Sequence, residues 1–136
     1  AHPLARALRP GALTISSLQQ VVMSYLKRTV CDEIPFWKMA TTPLDELDRR
    51  AQHIVETTQR GRVVDCLAIP GAGSTPGATI PSRGISVIGA HLKSLRAHVP
   101  PIIARVTDQQ TMIDLRSVHP DDDSILISAL SALPAR

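Results

Sequence analysis

Three aromatic side chains, Tyr25, Phe36 and Trp37, are all that this chain of 136 residues contains. A surface on which successive bases stack needs aromatics spaced along it, so the composition argues against such a platform. The same scarcity means that the 43% hydrophobic content is met by Leu, Ile, Val and Ala, from which the core must be built. Cysteine is nearly absent as well. Cys31 and Cys66 stand without a further cysteine or a paired histidine at ligand spacing, which argues against a zinc site and for two buried free thiols in a reducing cytoplasm. No run of about 18 apolar residues occurs, so nothing reads as a membrane-spanning helix, and the N-terminus lacks the charged-then-apolar pattern of a secretory signal.

Lysine is missing from the whole stretch between Lys38 and Lys93. Within that gap lies "GAGSTPGATIPSRG", residues 71 to 84, which invites comparison with a phosphate-gripping loop. A Walker-type loop needs a lysine beside its last glycine to reach the terminal phosphates, and there is none. The dinucleotide pattern Gly-x-Gly-x-x-Gly fails too, because Gly71-Ala72-Gly73 is followed by Ser74, Thr75 and Pro76 before Gly77. Pro76 and Pro81 would break a helix opening there, which leaves a proline-stiffened loop between two strands.

What is present has clear periodicity. In "TISSLQQVVMSYLKRTV", residues 14 to 30, Ile15, Leu18, Val22, Leu26 and Val30 recur every three or four positions behind Thr14 as N-cap, which predicts a long amphipathic helix. Pro35 pushes Ile34 out of the helical region, and "CDEIPFWKM" reads as a junction. A second helix follows, with Thr42 as N-cap, Pro43 at its first position, Asp45 and Glu46 in its first turn and Gly61 as its stop; its buried stripe is Leu44, Leu47, Ala51, Ile54 and Val55. From Arg62 the texture turns to strands: "RVVDCLAI", "GISVIG", "PIIARVTDQQ" and "TMIDLRSV", the last two joined at "TDQQ" by a hairpin turn that lacks the Asn-Gly or Asp-Gly signal. Between them "AHLKSLRAHV" places Leu92, Leu95 and Val99 at helical spacing, and the C-terminus puts Pro120 and three aspartates ahead of Leu126, Leu130 and Leu133. The sum is an α+β fold in which helices cover a small, mostly antiparallel sheet.

The net charge is +3 and uneven: residues 1 to 62 hold nine Lys and Arg against six acids, the remainder six against six. Such an excess suits anionic partners and equally an ordinary solvated surface. Arg6 and Arg9 in "HPLARALRP" lie three residues apart, a spacing that on a helical turn aims both guanidiniums the same way, toward a tetrahedral oxyanion such as phosphate. Asp121, Asp122 and Asp123 sit where the helix macrodipole favours acids, so they read as capping residues before they read as a cation site. The five histidines are scattered, with no nucleophile motif beside them. In "IDLRSV", alternation makes Asp114 and Arg116 neighbours on one face of a strand, as a local ion pair or as an arginine that reads a carboxylate.

Taken in order, "RALRP", "IPFWKMATTPLDELDRRA", "GAGSTPGATIPSRGISV" and "PPIIARVTDQQTMIDLRSVHPDDD" resemble the C-terminal part of bacterial L-seryl-tRNA(Sec) selenium transferases, the selenocysteine synthases. The resemblance implies the small C-terminal domain of a fold-type-I pyridoxal-phosphate enzyme: residues 1–33 as the end of a large domain and its connecting helix, residues 34–136 as the α+β domain. It implies a cytoplasmic homo-oligomer that acts on seryl-tRNA(Sec) with selenophosphate, in which Arg6 and Arg9 match arginines that hold the selenophosphate or the phosphate it leaves. None of Lys27, Lys38 and Lys93 matches the lysine that carries pyridoxal phosphate, so the resemblance also implies a break inside a longer polypeptide and an inactive fragment. No metal is implied. One departure stands out: where the family usually carries an Asp-Lys pair after the arginines, this chain has Gly11 and Ala12. The alternatives are the small domain of a related pyridoxal-phosphate lyase acting on a phosphorylated sugar acid or amino acid, and a non-catalytic basic module that binds RNA or protein. The connecting helix, with its apolar stripe, predicts exposed apolar surface or self-association.

Overall fold

A computed structural model describes residues 4, 8–71, 73 and 75–134. They divide into two compact units, Ala1–Thr41 and Thr42–Arg136.

The first unit is helical: α1 (Ala12–Lys27), α2 (Val30–Glu33) and α3 (Pro35–Thr41). α1 starts two residues before the Thr14 cap that the sequence offers. Gly11 stands at the N-cap instead, extended and without a side-chain cap. The helix also stops earlier than residue 30, because Arg28 enters the left-handed region at φ 60°. Its amide bonds the Tyr25 carbonyl while the Thr29 amide bonds that of Ser24. This is the Schellman closure, with arginine at the place glycine usually takes. Ile34 is extended, as expected before proline. Pro35, however, opens α3 rather than closing a helix, since a residue without an amide proton suits a first helical position.

The second unit begins with α4 (Leu44–Thr58), whose cap position falls on Pro43 rather than Thr42. Leu47, Ala51 and Ile54 of its expected stripe are fully buried, whereas Leu44 is 38% exposed. Gln59 turns left-handed to end it, and Gly61, at φ 72°, lies so close to β2 that a Cβ there would stand 2.6 Å from the Ser86 carbonyl oxygen. There follow β1 (Arg62–Ala68), β2 (Ile80–Ile88), α5 (Leu92–Arg96), β3 (Arg105–Thr107) and β4 (Gln110–Asp114), then 3-10 turns over Leu115–Ser117 and Pro120–Asp122, and α6 (Asp123–Ser131). The strands make one antiparallel sheet in the order β1-β2-β4-β3.

Alternation sends Ile85, Val87 and Ile113 to one face, where with Leu115 they meet Leu47, Ala51 and Ile54 of α4 and Leu126, Ala129 and Leu130 of α6. Arg50, 9% exposed, fastens the two helices: its Nε and Nη2 donate to the Asp123 carboxylate at 2.9 and 2.7 Å, and Nη2 donates to the Val118 carbonyl at 3.0 Å. Asp123 is therefore more than a capping acid. The strand expected over 101–110 shrinks to three exposed residues, a short edge that resists pairing with other chains. Val99 leaves the expected helix stripe, since α5 ends at Arg96 and Val99 is 88% exposed. No helix among the described residues is long and apolar enough to cross a membrane.

The hairpin of β3 and β4 turns on Asp108 and Gln109, both left-handed at φ 49° and 58°. Two positive φ values between paired strands define the tightest hairpin loop, which normally recruits Asn-Gly or Asp-Gly. Gln109 bears the steric cost of that conformation without glycine's relief. Gln109→Gly should therefore stabilise the protein by about 0.5–1 kcal/mol and raise its Tm by a few degrees in thermal melts. A lower Tm would contradict this account of the turn.

Candidate functional site

The chain leading into α1 holds the first candidate site. Arg6 lies outside the described residues, and Arg9 is exposed just ahead of the helix rather than on a helical turn. Arg9, Gly11, Ile15, Ser16 and Gln19 line an open cleft of about 1070 Å³. Gly11 offers no side-chain cap and the first turn of α1 carries no acid. The partial positive charge of a helix N-terminus thus faces this cleft without a carboxylate to offset it, and Arg9 adds a full charge of the same sign.

The glycine-rich stretch divides. Residues up to Thr79 form the β1–β2 connection, in which the Thr75 amide and hydroxyl both donate to the Gly71 carbonyl and Gly77 takes φ 77°. Ile80 to Gly84 belong to β2 itself. Gly84 sits in the middle of the sheet, where a Cβ would lie 2.6 Å from the Ile113 carbonyl oxygen and 3.1 Å from Cys66 Sγ. Glycine is needed there for strand packing, not for phosphate.

The same end of the sheet corrects the expected pairing of Asp114 with Arg116 along one strand. β4 stops at Asp114, whose carboxylate accepts from the Arg116 amide at 3.1 Å and from the Ser82 hydroxyl at 2.6 Å. Arg116, 6% exposed, is carried away in the 3-10 turn. Its guanidinium donates to the Pro81 carbonyl at 3.2 and 2.7 Å and to the Thr42 carbonyl at 2.8 Å. Backbone carbonyls are among the partners of this arginine.

The face of the sheet turned away from α4 carries Arg62, Cys66, Ser86, Arg105, Gln110 and Met112 around an open cleft of about 690 Å³. Its two guanidiniums do not converge: Arg62 Nη2 donates to Gln110 Oε1 at 3.2 Å, while Arg105 reaches toward the Leu67 carbonyl at 3.4 and 3.5 Å. Burial, and then the nearby Asp114 carboxylate, push the Cys66 thiol above its ordinary range. A protonated thiol is a poor nucleophile, so this face holds no activated cysteine. Cys31, expected to be buried, is exposed. Among the described residues no three His, Cys, Asp or Glu side chains gather closely enough to hold a metal ion.

Two groupings in the first unit gave no sequence signal. Ser24, 8% exposed, donates its hydroxyl to Glu33 at 2.6 Å, and Trp37 Nε1 donates to the Tyr25 hydroxyl at 2.6 Å. Each bond crosses the α1 stop at Arg28, and nothing in the periodicity marks that the chain folds back there.

The family model for L-seryl-tRNA selenium transferase matches residues 1–119. Among curated relatives, the L-seryl-tRNA(Sec) selenium transferase of Carboxydothermus hydrogenoformans is 30% identical over 129 residues, covering 86% of this chain and 28% of that protein. The protein of the same name from Caldanaerobacter subterraneus subsp. tengcongensis is 31% identical over 143 residues, covering 97% of this chain and 31% of its own length. That from Serratia proteamaculans is 31% identical over 148 residues, with 96% and 32% covered. The chain thus spans about a third of the length of the curated relatives it matches.

Two outcomes follow from the side-chain environments. The exposed Cys31 should react with a thiol reagent such as DTNB well before Cys66 at neutral pH; equal rates would contradict the raised thiol. Hydrogen bonds from Ser24 and then Thr29 lower the Glu33 pKa. A carboxyl depressed in the folded state contributes stability above its unfolded pKa and loses it as pH falls through the folded one. Ser24→Ala should accordingly move the Glu33 carboxyl titration, followed by NMR, back up toward the ordinary glutamate range. A titration unmoved by the substitution would show that the Ser24 bond does not set it.

Proposed function

The chain belongs to the L-seryl-tRNA selenium transferase family, and from that membership we propose that it is the C-terminal part of a selenium transferase that converts seryl-tRNA(Sec) to selenocysteinyl-tRNA(Sec) with selenophosphate. The observation that carries the reading is the family match over residues 1–119. On it, residues 1–33 form the end of a large domain and its connecting helix, and 34–136 the small domain. The whole enzyme works in the cytoplasm as a homo-oligomer, and this chain alone is inactive.

Pyridoxal phosphate, when bound, supplies the electron sink for removing water from the seryl group. Lys27, Lys38 and Lys93 are all exposed. None of the three matches the lysine that carries the cofactor in the family, so on this reading that lysine belongs to the remainder of the protein. What this chain contributes is charge. Arg6 and Arg9 bind the phosphate of the selenium donor and stabilise the negative charge that grows as it departs. The first-turn amides of α1, uncapped at Gly11, act in the same direction. Replacing the family's Asp-Lys pair by Gly11 and Ala12 removes one charge of each sign, so the positive character of this helix end rests on its uncapped amides and Arg9.

Reconstituted with a matching large domain, Arg6→Ala and Arg9→Ala should each lower kcat/KM for selenophosphate by about a hundredfold, leaving seryl-tRNA binding little changed. Wild-type rates in both variants would remove the phosphate role.

A further inference from the structure

Between α5 and α6 the second unit carries a groove of about 430 Å³ with two unlike walls. One wall is the ridge Pro100 to Ile103, which follows α5 and is held to it by the Ile102 amide, a donor to the Leu95 carbonyl at 3.0 Å. The other is formed by Val118, Asp122, Ile125 and Leu126, where α6 begins. Ile102 packs against the core, whereas Val99 and Ile103 at the ends of the ridge are 88% and 74% exposed, more than any other large hydrophobic residue described in this unit. An apolar ridge thus stands beside an apolar groove, and neither is covered.

Charge is segregated across the same surface. Residues 84–107, which hold α5 and the ridge, contain no Asp or Glu, and residues 117–134, which hold the opposite wall, contain no Lys or Arg. Lys93 and Arg96 on α5 and Asp122 at the groove are exposed, and none of them belongs to an ion pair among the described residues. The neighbouring acids differ: Asp123 is taken by Arg50, and Asp121 has the His119 imidazole 3.5 Å away. No residue of α5 lines the groove, so the ridge stands between Arg96 and Asp122. The order across the surface is cation, ridge, groove, acid.

A two-fold rotation reverses that order. It sets each ridge against the other copy's groove and each cation against the other copy's acid, which is what an isologous contact requires. A partner that is uniformly apolar, or of one charge, leaves a flank unmatched or repelled, so the arrangement singles out a second copy.

We propose that this patch is an interface between two copies of the chain, with Val99 and Ile103 of each packing at the other's groove and Arg96 of each beside the other's Asp122. The proposal gives the homo-oligomer of the selenium-transferase reading a contact surface on this chain, and rests on that reading for its biological sense.

Self-association alone does not decide it, because the exposed stripe of α1 offers a second way to join copies. The charges do. Arg96→Glu and Asp122→Arg should each weaken dimerisation of the 136-residue chain about tenfold at low salt in sedimentation velocity, since each sets like charges face to face. Mixed together, the two variants should pair with one another at close to the unaltered affinity, because the mixed dimer restores a cation opposite an acid on both sides. Native mass spectrometry separates that dimer from either homodimer by mass. Val99→Asp should weaken the unaltered dimer about tenfold, and Leu18→Ser in α1 should not. Circular dichroism restricts the readings to folded protein. A mixed dimer no tighter than either homodimer overturns the proposal, as does association lost in Leu18→Ser and kept in Val99→Asp, or a chain that stays monomeric at every concentration. The two readings fail separately: a mixed dimer formed while the reconstituted enzyme transfers no selenium counts against the transferase reading, and transfer without the mixed dimer counts against this contact alone.

Discussion

The close approach of strands at Gly84 is the constraint on which the second unit depends. A side chain there would collide with the Ile113 carbonyl and the Cys66 sulfur. With glycine, β2 lies tightly between β1 and β4, and the register that pairs Gly84 with both Val64 and Asp114 is fixed. A slip of one residue would turn Ile85 and Ile113 from the α4 face to the open one. The register also sets where β4 ends. Beyond Asp114 the β2 edge has no strand beside it, and the Pro81 carbonyl there is met by Arg116 instead. Because the same guanidinium holds the Thr42 carbonyl, the position where the chain enters α4 follows from where the sheet stops.

The two units meet their polar obligations differently. In the second, arginines serve the fold: Arg50 binds Asp123 and Val118, Arg60 donates to the Leu133 and Pro134 carbonyls, and Arg83 pairs with Asp48 and Asp65. Burying a guanidinium without partners would be costly, and each of these finds acceptors spread across elements that are distant in sequence. In the first unit the described cations Arg9, Lys27, Arg28 and Lys38 are exposed, and the side-chain bonds of Ser24 to Glu33 and of Trp37 to Tyr25 join neighbouring helices.

Much of the second unit was legible because its signals are local and agree. Leu47, Ala51 and Ile54 repeat at helical spacing and are buried, and the four strand runs sit where strands form. What escaped reading depended on partners far along the chain. Asp123 looked like a capping acid because its arginine is 73 residues away. Arg116 looked like a strand residue because nothing local says that β4 ends one residue before Leu115. The turn at Asp108 and Gln109 was placed correctly without its usual glycine, since the flanking strands force the two positive φ values. Of the cleft ahead of α1, Arg9 and Gly11 were visible, while the uncapped state of the helix was not. Thr14 is the better cap by residue type, yet the helix begins before it.

α1 remains the element least supported by its own unit. Sixteen residues is close to the length at which an isolated helix is marginal in water. Its apolar stripe of Ile15, Leu18, Val22 and Leu26 is exposed, and Ser24 is its one buried residue. Among the described residues that face is open, and α1 is tied to its unit by its Schellman stop, the Ser24–Glu33 bond and the Trp37–Tyr25 bond. All three lie at its C-terminal end. The N-terminal turn, where Arg9 and Gly11 stand, is consequently the part most responsive to whatever covers the stripe or neutralises the helix end. An anion bound there would do more than occupy a cleft: it would supply the cap that the sequence withholds.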